Sequence, residues 1–227
     1  MRPVGDAATA YAHADIPGGR TPWREAEYCV VDLELSGLDP SRHEIVSFGA
    51  VPVVNGRVSL AGAVYGLVRP TVAVPSASVV VHGIRTLDLT DAPSLDDGID
   101  ALLEVMAGRV LVAHVVDVER SFLGPALRRR GVRLRGPRVD TRVIGRLWIY
   151  EREGLVPEAR LALGRLAAEL GLPVHRPHNA LGDALTTAQA FLATATHLDS
   201  IRPETVRSLS RAGDRIEALR LYPHHRC

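Results

Sequence analysis

The sequence predicts an α/β domain with a mixed sheet and helices packed on it. Three observations carry this reading. Apolar β-rich runs open the ordered part, a tight Asn55-Gly56 turn joins two of them, and helical and strand-like segments then alternate toward the C-terminus. The chain has 227 residues, 46% hydrophobic and 23% charged, with a formal net charge of +1. That composition suits one globular domain and excludes disorder, which needs low apolar content and high net charge.

Residues 1–24 are rich in Gly, Pro and Ala without periodicity, and are expected to form a mobile N-terminal arm. Tyr28 to Leu35 reads as a strand ending in the turn cluster Ser36-Gly37-Leu38-Asp39-Pro40. Glu44 to Val54 reads as a second strand and Arg57 to Arg69 as a third. Ser94 is placed to cap a helix running to Met106, with Gly108 beyond its end. A short strand, Val110 to Ala113, precedes a helix from Val118 to Arg130, which Gly124-Pro125 is expected to kink or split. Further helices are expected over Thr141–Tyr150, Arg160–Leu170, Ala180–Thr194 and Pro203–Arg211. The division expected is an arm over 1–24, a domain over 25–200, and a C-terminal helix and tail over 201–227.

No apolar run is long enough to span a membrane, and the N-terminus lacks the basic-then-apolar order of a signal peptide. Cys29 lies inside an apolar run and Cys227 is the last residue, a poor basis for a disulfide or a zinc site. A reduced, cytoplasmic protein without a membrane partner is expected. All 27 basic residues are Arg, so any side-chain cation meeting a phosphate is a guanidinium. Eight of them fall between Arg120 and Arg142 against Asp140 alone, a stretch that either steers nucleic acid or forms a solvated surface.

Asp32 and Glu34 stand two apart on a strand and so share one face. Like charges at that spacing repel unless a cation or proton holds them, and their oxygens suit Mg²⁺ or Mn²⁺; the alternative is two solvated acids at a sheet edge. Glu119 falls within the arc of Val118, Phe122, Leu123 and Ala126, so a buried carboxylate is expected that needs a metal or an Arg partner. His178 follows Pro177 in a loop, and Asp183 lies in the helix behind it. A loop histidine beside carboxylates is a sensible general base. Asp183 alone, away from the Leu181–Leu185–Leu192 stripe, also reads as a solvated helix acid.

The order of these clusters resembles the DEDD-type 3′–5′ exonucleases, in particular the histidine branch containing the proofreading epsilon subunits of bacterial DNA polymerase III. Val31 to Pro40 is similar to the family's D-x-E-T-T-G-L turn, with Leu35 in place of its first Thr. Ala113 to Leu123 is similar to A-H-N-A-x-F-D-x-x-F-L, with Val115 and Glu119 in place of Asn and Asp; Asp117 stands two positions out of register. His178 to Asp183 matches H-x-A-x-x-D, and Val81-His82-Gly83-Ile84 and Val139-Asp140-Thr141 resemble landmarks between the motifs.

The resemblance implies a ribonuclease H-like exonuclease fold and a two-metal phosphodiesterase. Asp32 would bridge two divalent ions, Mg²⁺ or Mn²⁺, with Glu34 and Asp183 completing one site and Glu119 supporting the other. His178 would act as the base at the 3′ end of single-stranded nucleic acid, with DNA favoured over RNA. Leu35, Ser36, Gly37, Leu38, His82, Ile84, His114 and Phe122 would contact substrate. A DNA polymerase or repair assembly is the partner the resemblance suggests. The competing reading is a catalytically impaired module of this fold that binds nucleic acid or a polymerase.

Overall fold

The computed structural model describes residues 2–221. Cys227 and the rest of the expected tail beyond 221 lie outside the described residues. In chain order the elements begin with α1 (Asp6–His13), β1 (Tyr28–Leu35), β2 (Ile45–Val54), β3 (Arg57–Val58), β4 (Val64–Leu67) and α2 (Ser76–His82). They continue with α3 (Leu95–Met106), β5 (Val110–Ala113), α4 (Val116–Arg129), β6 (Arg138–Asp140) and α5 (Thr141–Glu153). The last are α6 (Leu163–Glu169), α7 (Ala180–Ile201), α8 (Val206–Ser210) and α9 (Ala212–Leu221).

The sheet runs β3-β2-β1-β5-β6, with β4 also paired to β2. β1 is antiparallel to β2 and parallel to β5, and β5 is parallel to β6, so the sheet is mixed as expected. Both central residues of the β2–β3 turn, Asn55 and Gly56, have positive φ (52° and 67°), the requirement of a tight hairpin turn that follows the sheet's twist. β1 is covered on both faces and therefore reads as a continuous apolar run rather than an alternation. Tyr28 and Val30 face α5, α7 and α8, while Cys29, Val31, Leu33 and Leu35 face α1, α3 and α4.

One register detail prepares the site. The β1–β5 ladder covers only Tyr28 to Val30, whereas the β1–β2 ladder continues to Leu35. Beyond Val30 the C-terminal end of β1 thus has a neighbour on one side only, at the point where parallel strands end. Open α/β sheets place their binding crevices at such ends.

Several expectations are corrected. The Arg57–Arg69 strand is broken by a 3₁₀ turn over Leu60–Gly62, and its second half, β4, pairs with Ser47–Ala50 of β2. α4 passes through Gly124-Pro125 as one helix. The segment 1–24 is not an arm without structure. α1 packs on α3 with Ala8 and Tyr11 buried, and Trp23 is buried in the core on the other face of the sheet. The boundary at 200 is also absent, because Val206, Leu209, Ala212 and Ile216 enter the same core as α5 and α7.

The arginine-rich stretch explains the ordering of the N-terminal segment. Arg135 donates to the carbonyls of Tyr11, Ala12 and Ala14 at the end of α1, while Arg130 pairs with Asp100 on α3. Arg120, Arg129 and Arg142 pair with Asp117, Asp96 and Glu158. Five of the eight guanidiniums are therefore occupied inside the molecule, four of them by carboxylates that offset much of the stretch's excess positive charge.

Candidate active site

Asp32 and Glu34 continue the Tyr28–Val30 face of β1 past the end of β5. Opposite Asp32 on β2 stands Gly49, where a side chain would overlap the Ala180 carbonyl and the Leu181 nitrogen. A bare backbone here lets the first turn of α7 lie directly on β2. Gly182 is equally constrained, because a Cβ there would overlap the Arg176 carbonyl. Asn179 caps the helix by accepting from the Gly182 N–H at 3.1 Å. These small residues bring Asp183 down to the strand. Carboxylate oxygens of Asp32, Glu34 and Asp183 lie within 4.8 Å of one another.

The reading of Asp183 as a solvated helix acid fails for a physical reason. The face α7 turns to the sheet is Ala180, Ala184, Thr187, Ala188 and Phe191, not the stripe of leucines, which is only partly buried. Close packing selects small side chains, so the leucine stripe marked the wrong face. Asp183 accepts from the His178 N–H at 2.9 Å, which fixes the loop at its neighbour. His178 itself is exposed, with φ of 54°.

Glu119 comes from the other direction, one turn into α4. It is 4% exposed, its Oε2 has no hydrogen-bond partner, and no guanidinium pairs with it among the described residues. The Arg partner allowed by the sequence is therefore absent among the described residues. Glu119 is not within the close group of three, yet it is the nearest charge problem for Asp32. Burial raises the Asp32 pKa well above the usual range, and Glu119, Asp183 and Glu34 push it further. Burial, then Asp183, lifts Glu34 to about 7; burial lifts Glu119 to about 8, with Asp140 adding to it. Asp183 is also raised, chiefly by burial. Four carboxyls held in a partly dry space, with Glu34 Oε1 and Glu119 Oε2 unpartnered, form a donor set suited to hard divalent cations.

Asp140, which the sequence offered only as a landmark, organises the approach of α4. Its carboxylate accepts from the N–H groups of Val115 and Val116 and from those of Arg142 and Val143, capping two helices at once. It is needed because the residue before α4, Val115, has no side-chain acceptor and sits in the left-handed region (φ 71°, ψ 58°). That conformation strains a β-branched residue and suits Asn. Val115→Asn is expected to stabilise the fold by about 1 kcal/mol, raising Tm by ~2–4 °C in a thermal melt.

Residues 29–191 match the exonuclease family of RNase T. The chain belongs to that family. Among relatives of this exonuclease-family chain, a DNA polymerase III subunit epsilon-like protein from Rhodobacter capsulatus is 35% identical over 176 residues. The match covers 76% of this chain but only 24% of that relative. The PolC-type DNA polymerase III of Thermotoga petrophila is 26% identical, covering 89% of this chain and 14% of the relative. The chain thus spans a quarter or less of these two proteins. The epsilon subunit of Aquifex aeolicus is 26% identical, with 74% and 80% covered. In structure, Exonuclease X in complex with 5′ overhanging duplex DNA superposes with a TM-score of 0.62 at 19% identity, covering 82% of this chain and 98% of that one. The nuclease domain of 3′hExo, a DEDDh family member bound to rAMP, gives 0.60 at 17%, with 79% and 94% covered. The ribonuclease H-like exonuclease fold and the resemblance read from the motifs are borne out.

Within this exonuclease fold the residues expected to contact substrate divide in two. Leu38 is 78% exposed on the turn after β1. That turn is closed by the Ser36 hydroxyl, which accepts from the Glu44 N–H, and Ser78 of α2 donates to the Ser36 carbonyl beside Gly37. His82, at the end of α2, accepts from the Ile84 N–H through Nδ1, and its buried Nε2 faces the Leu35 backbone without closing a normal hydrogen bond. Burial lowers the His82 pKa, and the nearby His178 acts in the same direction. Leu38 thus stands free on the turn, and His82 lies near His178. The others serve packing. Leu35 and Phe122 are buried in the α3–α4 core, and Ile84 packs against Val46, Val74 and Leu89. His114 uses both ring nitrogens internally, against Thr141 Oγ1 and the Leu161 carbonyl, each at 2.9 Å. Burial lowers its pKa.

Proposed function

We propose that this chain is a metal-dependent 3′–5′ exonuclease that releases nucleoside 5′-monophosphates from single-stranded ends, DNA in preference to RNA. The observation that carries the reading is the convergence of Asp32, Glu34 and Asp183 beside a buried, unpartnered Glu119. Asp32, Glu34 and Asp183 would hold one divalent ion, and Asp32 with Glu119 a second. Bound Mg²⁺ or Mn²⁺ supplies charge for the scissile phosphate, a more acidic water and stabilisation of the leaving 3′ oxygen.

The chain's own residues supply position and proton transfer. His178 is exposed at the mouth, and the bond from its N–H to Asp183 ties the loop to a metal-holding carboxylate. Its imidazole takes the proton as the water oxygen attacks phosphorus and the P–O3′ bond breaks. Leu38, exposed on the turn after β1, would wedge against the terminal base. Aromatic stacking is scarce, since aromatics make up 4% of the chain.

The test is His178→Ala under single-turnover conditions on a labelled single-stranded oligonucleotide with Mn²⁺. A loss of about 10²–10⁴-fold is expected. Mn²⁺ should still raise the variant's Tm, because the carboxylates remain. Cleavage at the wild-type rate would remove His178 from the mechanism.

A further inference from the structure

The free edge of the sheet carries a second charged feature, built from the two segments that the sequence left as arm and tail. α8 is tied to the N-terminal segment by backbone bonds, Val206 N–H to the Thr21 carbonyl at 3.0 Å and Arg207 N–H to the Gly19 carbonyl at 2.8 Å. Pro22 and Thr205 form a bridge beside them. Val206, Leu209 and Ala212 anchor this assembly in the core. Its outer surface, with β6 and the start of α4, encloses two adjoining hollows of about 570 and 520 Å³. Both are lined by Val116, Asp117, Arg138, Ser210 and Arg211, and the second adds Arg207 and Gly19.

Arg138, Arg207 and Arg211 differ from their neighbours in the sequence. Arg120, Arg129, Arg130 and Arg142 each have a carboxylate partner, whereas no carboxylate oxygen lies within 4.0 Å of these three guanidiniums among the described residues. The acids in the groove are largely spoken for. Asp117 pairs with Arg120, and the Asp140 carboxylate accepts four N–H bonds. Asp214 remains, at the far side. The wall shared by the two hollows includes Val116 and Asp117, which lie within one turn of Glu119 along α4.

We infer that this groove is a backbone-binding track for the same nucleic-acid strand, upstream of the 3′ end that enters the carboxylate cluster. The inference rests on the exonuclease reading. A row of unpaired guanidiniums on a rigid support matches successive phosphodiesters, which they bind bidentately. The lining holds no aromatic ring and so offers no platform for bases, making the contact indifferent to sequence. It also gives a purpose to the tie between residues 19–22 and α8, which the carboxylate cluster alone does not need.

The test compares binding of fluorescein-labelled dT20 and dT4 by anisotropy in EDTA, at several salt concentrations. Arg138→Gln/Arg207→Gln/Arg211→Gln is expected to weaken dT20 at least tenfold and leave dT4 unchanged. Its log Kd against log salt should lose a slope of about 2, from three contacts at ~0.7 each. Arg57→Gln, at the opposite edge of the sheet, is the matched control and should change neither. If the triple variant melts early, Arg207→Gln/Arg211→Gln on exposed positions should still remove a slope of ~1.4. An unchanged dT20 affinity and slope overturns the inference, as does an equal loss on dT4. Mn²⁺-dependent cleavage by the wild-type protein is scored separately, so loss of the exonuclease reading is distinguishable from loss of the track.

Discussion

Glu119→Gln is expected to lower the single-turnover cleavage rate by about 10²-fold or more while raising the stability of the metal-free protein. Both effects follow from one environment. Glu119 is 4% exposed, its Oε2 has no partner, and its pKa is pushed up to about 8, first by burial. An ionised carboxylate is costly there unless a cation arrives, so the wild-type fold carries a destabilising group that metal binding relieves. An amide of the same shape removes that cost but cannot hold the ion. A buried carboxylate with a merely structural role would give the first effect no cause. Glu119→Asp should also lose activity, because the shorter side chain ends about one methylene from where the longer one reaches, and ~1 Å of misplacement can cost ~10²-fold. If Glu119→Asp instead cleaves much faster than wild type, the natural site is impaired, and the reading of a non-catalytic binding module replaces the exonuclease.

The elements legible in the sequence were those whose local chemistry agreed with their tertiary setting. β1 is apolar because both its faces are covered, the Asn55-Gly56 turn needs its two positive φ angles, and the Ser94 hydroxyl accepts from the Asp97 N–H to start α3. α1 was not legible. Its buried face is two alanines and one tyrosine, and what holds it is a set of carbonyl bonds from Arg135, 121–124 residues away. The same distance hid the fate of the basic stretch. A count of charge along the chain cannot see Asp96 and Asp100, which only the packing of α3 against α4 brings to Arg129 and Arg130.

The site divides similarly. The shared face of Asp32 and Glu34 follows from strand geometry, and the inward arc of Glu119 from helical periodicity, so both were available before any contact was known. Asp183 was ambiguous because the sheet-facing side of α7 is written in Ala, Gly and Thr. The signal was Gly49, which no periodicity explains and which only a closely approaching backbone requires. Its test is direct. Gly49→Ala should push the first turn of α7 off β2, weakening Mn²⁺-induced stabilisation and cleavage together. His114 shows the opposite limit, since its place in a motif said nothing of the two partners that occupy its ring.

In EDTA the protein is expected to lose stability as pH rises from mild acid to about 8, and Mn²⁺ should reverse most of that loss. The sign follows from the direction of the shifts. Glu34 moves from its usual 4.5 to about 7 and Glu119 to about 8, so the folded state holds protons that the unfolded chain has released. Their stabilising protonation is complete below pH ~4.5 and is lost as pH climbs through the folded values. For Glu34 alone the change is ~3 kcal/mol, or roughly 6–12 °C in Tm for a chain of this size. Two trends compete: burial lowers the pKa of His82 and His114, so their contribution rises with pH until the usual histidine range is passed, and paired carboxylates on the surface act at lower pH still. Asp88, drawn down to about 2 by Arg85, adds stability only above the unfolded carboxyl range and is constant across this window. Above about pH 7 those contributions are level, and the buried carboxyl cluster governs the slope up to pH 8. Divalent ions bind the ionised form, so the Mn²⁺-induced rise in Tm should be much larger at pH 8 than at pH 5.5. Asp32→Asn, which removes one of the raised carboxyls, should lessen the slope in EDTA, where Glu34 and Glu119 still titrate, and should abolish the Mn²⁺ response. A metal-free stability that is level across this range, with no Mn²⁺ response at pH 8, would mean that the four carboxyls do not form one cation site.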